Sequence, residues 1–179
     1  SGWGGNKSPN NFYAIGNRED KSMGFRFFIH DGEHTLMNDA TAGPGVGLYE
    51  NRANIGDRTG DDKMVVSDFS SFHSQWLHYK LSKNEEYRIR FANRAWESLS
   101  GNGIFTEDKS IERFNKRVEQ VQLAIIAESA RWGDTQSSAP YTKANAWLPQ
   151  LDMVRKDYFP VRPGIVIDQL KDLDLYPSL

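Results

Sequence analysis

The spacing of apolar residues changes near Ser70, and this change limits the possible folds more than any other feature of the chain. Before it, the runs 11–16 and 23–29 are rich in aromatic and β-branched residues, which favour β-strands. After it, apolar residues recur three and four positions apart as far as Leu173, the spacing of amphipathic helices. This order predicts an α+β fold in which a small antiparallel β-hairpin is followed by a mostly helical domain.

Capping signals divide the helical part into segments. A first helix is predicted from Ser71, and Asn84 is predicted to cap a second one that opens with two glutamates and ends at Gly101. Thr106 is predicted to begin the longest helix, which runs as far as Trp132. Two short helices, each with a proline near its start, follow. We interpret the apolar stripes of these helices as core and not as a cofactor-binding face.

The composition is that of an ordinary globular protein. The chain has 179 residues, of which 38% are hydrophobic and 26% charged, and we interpret residues 1–179 as a single domain. The net charge of −2 and the lack of a basic run disfavour nucleic acid or an anionic membrane as a partner. No apolar run is long enough to span a bilayer. The chain contains no cysteine, which excludes disulfides and thiolate metal sites.

The predicted second strand leads directly into a group of polar residues. The run 25–29 is almost continuously apolar, which predicts a strand covered on both faces, and His30, Asp31, Glu33 and His34 follow it closely. Buried carboxylates need partners, and a metal ion is one such partner. The alternative is a strand that ends in a solvated turn at residues 31–32. The two histidines suit zinc better than magnesium, and a structural role is the simpler interpretation for them.

Antiparallel pairing of the two strands would bring Asn11, at the start of the first, near Asp31, at the end of the second. A carboxamide and a carboxylate would then meet at one end of the hairpin. The alternative for Asn11 is a turn-capping amide, a common role for asparagine after proline.

The segment 37–69 is rich in Gly, Asp and Asn and is predicted to be a long loop. From residue 31 to residue 68 the chain carries eight acidic residues against three basic ones, so divalent cations would be attracted to it. The acids lack the spacing of an EF-hand, and we interpret the segment as a solvated acidic loop. The acidic residues are Asp31, Glu33, Asp39, Glu50, Asp57, Asp61, Asp62 and Asp68.

Several short sequences, spread over nearly the whole chain, resemble the C-terminal part of the CotH kinase-like family, named for the bacterial spore-coat protein H. The matching stretches are Gly4-Gly5-Asn6, Asn11-Phe12-Tyr13-Ala14, Phe27-Phe28-Ile29-His30-Asp31-Gly32-Glu33-His34-Thr35-Leu36, Ala127-Glu128-Ser129-Ala130-Arg131-Trp132-Gly133-Asp134, Tyr158-Phe159-Pro160-Val161-Arg162 and Leu175-Tyr176-Pro177.

The resemblance implies a fold and a chemistry. Family members resemble atypical protein kinases that use ATP and Mg²⁺ or Mn²⁺ to phosphorylate secreted or coat proteins. A protein substrate or partner and a secreted or cell-surface location are therefore implied. The helical part would correspond to the C-terminal lobe of such a kinase, with the N-terminal lobe absent from this chain. Asp31 would be the metal-binding and catalytic carboxylate, Asn11 a second metal and cofactor ligand, and Glu33 a further metal ligand. Phosphoryl transfer depends mostly on positioning and charge neutralisation, which such a site supplies.

The sequence departs from the family at the general base. Family members carry an aspartate in the turn after Gly-Asn, whereas this chain has Lys7-Ser8-Pro9 there. A lysine cannot accept the substrate proton at neutral pH as a carboxylate would. The resulting expectation is weak metal binding, little ATP binding and no phosphoryl transfer by this chain alone. Two other classes remain open: a degenerate kinase-like binding or structural module, and a different metal-dependent enzyme built on His30 and His34.

Overall fold

The computed structural model describes residues 12–30, 35–37, 47–51, 53, 74–135 and 137–177. Within these residues, a hairpin of two antiparallel strands precedes six α-helices, so the predicted α+β order is confirmed. The strands are β1 (Phe12–Gly16) and β2 (Phe25–Ile29). The helices are α1 (Ser74–Leu81), α2 (Glu85–Leu99), α3 (Glu107–Val121), α4 (Ala124–Trp132), α5 (Leu148–Met153) and α6 (Arg162–Lys171). Most of the predicted loop 37–69, and the predicted helix start at Ser71, lie outside the described residues.

A polar turn joins the two strands. Asp20 accepts hydrogen bonds from the hydroxyl of Ser22 at 2.5 Å and from its amide at 2.9 Å, and these bonds lower the pKa of the Asp20 carboxyl. They start a 3-10 turn, Lys21–Met23, which is followed by Gly24 at a φ of 57° and a ψ of −155°. Only glycine adopts this conformation readily. The second strand therefore begins at Phe25, two residues later than predicted.

Both strands are largely exposed, and the prediction that the second strand is covered on both faces is wrong. The side chain of Phe25 is 73% exposed and that of Ile29 is 67% exposed, whereas Phe12 and Phe27 are half-buried with ring centroids 6.3 Å apart. An apolar run shows that a strand can be buried, but it does not show that another helix or strand packs over it. The same aromatic residues also suit a two-stranded ribbon, where they contact one another across the strands.

The ends of α2 follow from its sequence, as predicted. The side chain of Asn84 accepts a hydrogen bond from the amide of Tyr87 at 3.0 Å, and two glutamates occupy the first turn, where the helix dipole favours negative charge. At the other end, the amide of Ser100 bonds to the carbonyl of Trp96, and Gly101 turns the chain away at a φ of 56°. This is the left-handed ending that glycine permits.

The helix predicted from Thr106 to Trp132 is two helices, and this part of the prediction is wrong. Gln122 and Leu123 separate α3 from α4 while keeping helical backbone angles. The amide of Ile126 bonds to the carbonyl of Leu123, three residues back, so the backbone is tightened at this point. Neither glycine nor proline marks the break, so the pattern of residues does not predict it.

Two π-helical turns flank α5, at Lys143–Trp147 and Val154–Tyr158. The amide of Phe159 bonds to the carbonyl of Val154 at 3.0 Å, five residues back. The predicted short helices are present, with Pro149 and Pro163 in their first turns, where a missing N–H does no harm. The π-helical turns lengthen the first of them at both ends.

A cluster of buried side chains lies where the end of the described chain meets α2. Leu170, Leu175 and Tyr176 are each less than a tenth exposed, and they pack with Phe91 and Leu99 of α2. The apolar stripes of α3 and α4, which were predicted to be core, are only half-buried. Leu151, Val154 and Phe159 are further buried residues, and the ring of Phe159 lies edge-on to Phe114 of α3 with centroids 5.4 Å apart.

The segment 47–51 is attached to α6 by side chains that bind its backbone. The guanidinium of Arg162 donates to the carbonyls of Leu48 and Glu50, the latter at 3.0 Å. Gln169 donates to the carbonyls of Tyr49 at 3.2 Å and Glu50 at 3.4 Å. Because Leu48 is also buried, this distant part of the chain is an integral part of the helical body.

Candidate functional site

The pairing of the strands determines which residues meet at the open end of the hairpin, the end formed by Phe12 and Ile29. These two residues are partners in the register, and Gly16 pairs with Phe25 at the turn end. Asn11 directly precedes Phe12 along the chain, and Asp31 comes two residues after Ile29. Asn11, Asp31 and Glu33 themselves lie outside the described residues. The strand pairing therefore brings together the backbone segments that adjoin Asn11 and Asp31 in the chain.

His30 is the described residue nearest to the predicted ligands in the chain. Its ring lies edge-on to that of Tyr13, with centroids 5.2 Å apart at 70°, and it is exposed. Tyr13 pairs with Phe28, so this is a diagonal contact across the strands on one face of the hairpin. His34, the other histidine of the predicted cluster, lies outside the described residues.

The chemistry of the predicted ligands fits a hard divalent cation. Asn11, Asp31 and Glu33 offer a carboxamide and two carboxylates, and oxygen donors of this kind bind Mg²⁺ and Mn²⁺. Within the described ranges, no group of three or more His, Asp or Glu residues is close enough together to hold a metal ion. The described helices thus offer no competing cluster of this size.

A hydrogen-bonded pair between α1 and α2 was not predicted from the sequence. Nδ1 of His78 lies 2.8 Å from the hydroxyl of Tyr87, and the His78 ring packs on Phe91 with centroids 4.9 Å apart. Burial lowers the pKa of His78 and raises the pKa of Tyr87. The two residues are nine positions apart and come together because of the tight turn at residues 82–84. Helical periodicity does not predict contacts across such a turn.

The stretch 127–134, which carries part of the family resemblance, forms the end of α4 and the turn after it. The amide of Tyr141 donates to the carbonyl of Gly133 at 2.7 Å, and Gly133 is buried. A Cβ at residue 133 would collide with the carbonyl oxygens of Tyr141 and Ser129. This glycine is therefore needed for the close approach of two backbone segments, which is a structural role.

The described helices include none with both the length and the apolar character needed to cross a lipid bilayer. Comparison of the chain with protein-family models, with curated proteins and with solved structures gave no match.

Proposed function

We propose that the chain is the metal-binding, C-terminal part of a CotH-like atypical protein kinase. Its metal site is formed by Asp31 and Asn11, with Glu33 as a further ligand, at the open end of the hairpin. The observation that carries the proposal is the pairing of Phe12 with Ile29, because Asn11 and Asp31 leave the hairpin from this same end. The oxygen donors of these residues suit Mg²⁺ or Mn²⁺, the ions that accompany ATP in phosphoryl transfer.

The role of each group follows from phosphoryl-transfer chemistry. The divalent ion neutralises charge on the phosphate oxygens when it is bound, and Asp31 and Asn11 hold it beside them. The stretch Lys7-Ser8-Pro9 contains no carboxylate, so the group that would accept the proton of a substrate hydroxyl is missing from that stretch. We therefore expect metal binding in the range of about 1 mM, typical of a site with few protein ligands. We expect little ATP binding and no phosphoryl transfer by this chain alone.

Calorimetric titration of the chain with Mg²⁺, Mn²⁺ and ATP tests the proposal. Asp31→Asn should abolish the metal isotherm and leave thermal unfolding nearly unchanged, because the carboxylate serves the ion and not the core. Asp57→Asn is the matched control, since it removes the same charge from the acidic segment and should retain metal binding. Equal metal affinity in the Asp31 variant, or phosphate incorporation into an acceptor protein by the unmodified chain, would contradict this account.

The exposed hairpin favours a second candidate, a kinase-like module that binds a protein partner without catalysis. Phe25 and Ile29 are more than two-thirds exposed, and Ile15 and Tyr13 are exposed on the neighbouring strand. Exposed apolar groups of this kind often belong to interaction surfaces. Loss of metal binding with undiminished partner binding in Asp31→Asn would favour the module. Zinc binding that depends on His30 and His34 would instead favour the third class, a different metal enzyme.

A further inference from the structure

A cavity of about 480 Å³ lies between α2, the start of α3 and α6. Its volume falls within the range of small-molecule sites, about 300–1,000 Å³. One face of α2 forms one wall and one face of α6 forms another. Within each helix, the lining residues are spaced about one turn apart, because positions three and four apart share a helix face. Its apolar lining residues are Leu36, Phe91, Ala95, Leu99, Phe105, Phe159, Pro163, Val166 and Leu170.

Hydroxyl groups in the wall lack hydrogen-bond partners among the described residues. Ser110 is only 8% exposed and lines the cavity, and its amide bonds to the carbonyl of Thr106, but its hydroxyl makes no bond to described residues. The same holds for the hydroxyls of Ser98 and Tyr158, both of which line the cavity. Buried polar groups are normally paired, and an unpaired one is costly. The Ser110 hydroxyl is therefore available to a ligand.

The charged residues in the wall are all cationic. Arg94 and Arg162 line the cavity, and its described lining includes no acidic residue. Arg162 is held in place by its bonds to the carbonyls of Leu48 and Glu50, and no carboxylate in the described chain pairs with it. Arg94 pairs with Glu97 at 3.2 Å, but its side chain is 82% exposed, and such pairs are weak. Arg94 can therefore turn towards an anion at little cost.

We infer that this cavity binds a single-chain amphipathic carboxylate, such as a medium-chain fatty acid. The carboxylate would accept hydrogen bonds from the Ser110 hydroxyl and from Arg94, and the alkyl chain would lie against Phe91, Leu99 and Val166. The hydroxyls, which make no bond to the described residues, argue against a purely apolar molecule, and the arginines of the described lining argue against a cation. The inference goes beyond the proposed metal site, because it uses none of the residues assigned to the metal.

The first test compares two head groups on one alkyl chain. Calorimetric titration of the full chain with sodium dodecanoate, below its micellar concentration, should give saturable binding of one molecule. Dodecyltrimethylammonium, which has the same chain and the opposite charge, should bind at least about tenfold more weakly, the equivalent of one strong charge-assisted contact. Absence of saturable dodecanoate binding, or equal affinity for the two amphiphiles, would overturn the inference.

Three variants locate the binding. Arg94→Gln should weaken dodecanoate binding about two- to fivefold, whereas Arg90→Gln should leave it unchanged. Arg90 is the matched control, since it is an exposed arginine one turn away on α2 that pairs with Glu86 and does not line the cavity. Ser110→Ala should weaken binding about two- to tenfold without lowering the melting temperature, because the hydroxyl makes no bond to the described residues.

Filling the cavity provides the last variant. Ser98→Trp places an indole in the wall and should abolish dodecanoate binding while far-UV circular dichroism remains that of the unmodified chain. Unchanged affinity in a folded Ser98→Trp protein would place the amphiphile elsewhere and would overturn the inference. If this variant does not fold, the comparison of Arg94→Gln with Arg90→Gln decides the question, since equal affinities in that pair contradict it.

Discussion

Asp174 ends α6 in a backbone conformation that side-chain-bearing residues seldom adopt. Its φ is 54°, and this left-handed step allows the amide of Leu175 to bond to the carbonyl of Leu170 at 2.9 Å. The arrangement is a Schellman-type helix ending, in which the residue after the turn packs back on the last helical turn. Here it brings Leu175 and Leu170 together in the core, so the strain at Asp174 is coupled to the packing of the most buried side chains.

Replacing Asp174 with glycine should stabilise the protein by about 0.5–1 kcal/mol, because glycine adopts a positive φ without steric cost. Loss of a carboxylate at the negative end of the helix acts in the same direction. Asp172→Gly is the matched control: it removes the same charge, but Asp172 has a φ of −59°, so the free energy of unfolding should fall or stay constant. Urea titrations of the two variants measure the difference, and equal changes would refute the role of the backbone.

Single residues differ in whether their structural role can be predicted from the sequence. The cap at Asn84 and the ending at Gly101 were predictable because each is a local chemical requirement of the helix end. The need for glycine at residue 133 was not predictable, because it depends on Tyr141, which another part of the chain brings near. The predicted ligands Asn11 and Asp31 lie outside the described residues, so their assignment stays a prediction.

At the scale of elements, helices were easier to predict than their interruptions. At the break between α3 and α4, Gln122 and Leu123 keep helical backbone angles. Only the hydrogen-bonding pattern changes there, and both residues are of types that also occur inside helices. The π-helical turns beside α5 likewise lack a marker in composition, because one inserted residue shifts the hydrogen bonds from four to five residues back. The exposure of β2 was missed because an apolar strand can lie in a covered sheet or in a bare hairpin.

The contact between α1 and α2 predicts a dependence of stability on pH. Burial lowers the pKa of His78 below its ordinary value of 6.5, so the unfolded chain binds the proton more readily than the folded one. The contribution of His78 to the free energy of unfolding should therefore fall as the pH drops through 6.5, and level off below the folded-state pKa. Denaturation midpoints measured between pH 7.5 and pH 5 would record this slope.

Two variants separate burial from hydrogen bonding. His78→Phe should remove this part of the slope, because the titrating group is gone. Tyr87→Phe removes the partner hydroxyl and should keep the slope, since burial is the cause of the lowered pKa of His78. A slope that is unchanged in His78→Phe would mean that other groups produce it.

On the scale of the whole molecule, the core depends on residues far apart in the sequence. Leu170, Leu175 and Tyr176 pack against α2, and Arg162 of α6 binds the segment 47–51. The apolar stripes of all these helices were predicted to be core, but the stripe on α3 and α4 is only half-buried, as at Ile125. The spacing of apolar residues identifies the apolar face of each helix. Which of these faces is buried most completely depends on how all the helices pack together.

Leu170→Ala should therefore cost more stability than Ile125→Ala. Truncation of a buried leucine typically costs about 2–5 kcal/mol, because transfer free energy is lost and a cavity remains. Leu170 is 6% exposed, whereas Ile125 retains solvent contact and should lose less. Urea unfolding of both variants measures the difference, and an equal or reversed order would place the core on α3 and α4.

In the proposed function, a divalent cation binds at the open end of the hairpin. Paramagnetic broadening by Mn²⁺ in amide NMR spectra tests it directly, because broadening falls steeply with distance from the ion. The two ends of the five-residue strands lie about 14 Å apart. We predict that substoichiometric Mn²⁺ broadens the amides of Phe12 and Ile29 before those of Gly16 and Phe25, and that Asp31→Asn abolishes this difference. Equal broadening at both ends of the hairpin in the unmodified chain would contradict the claim.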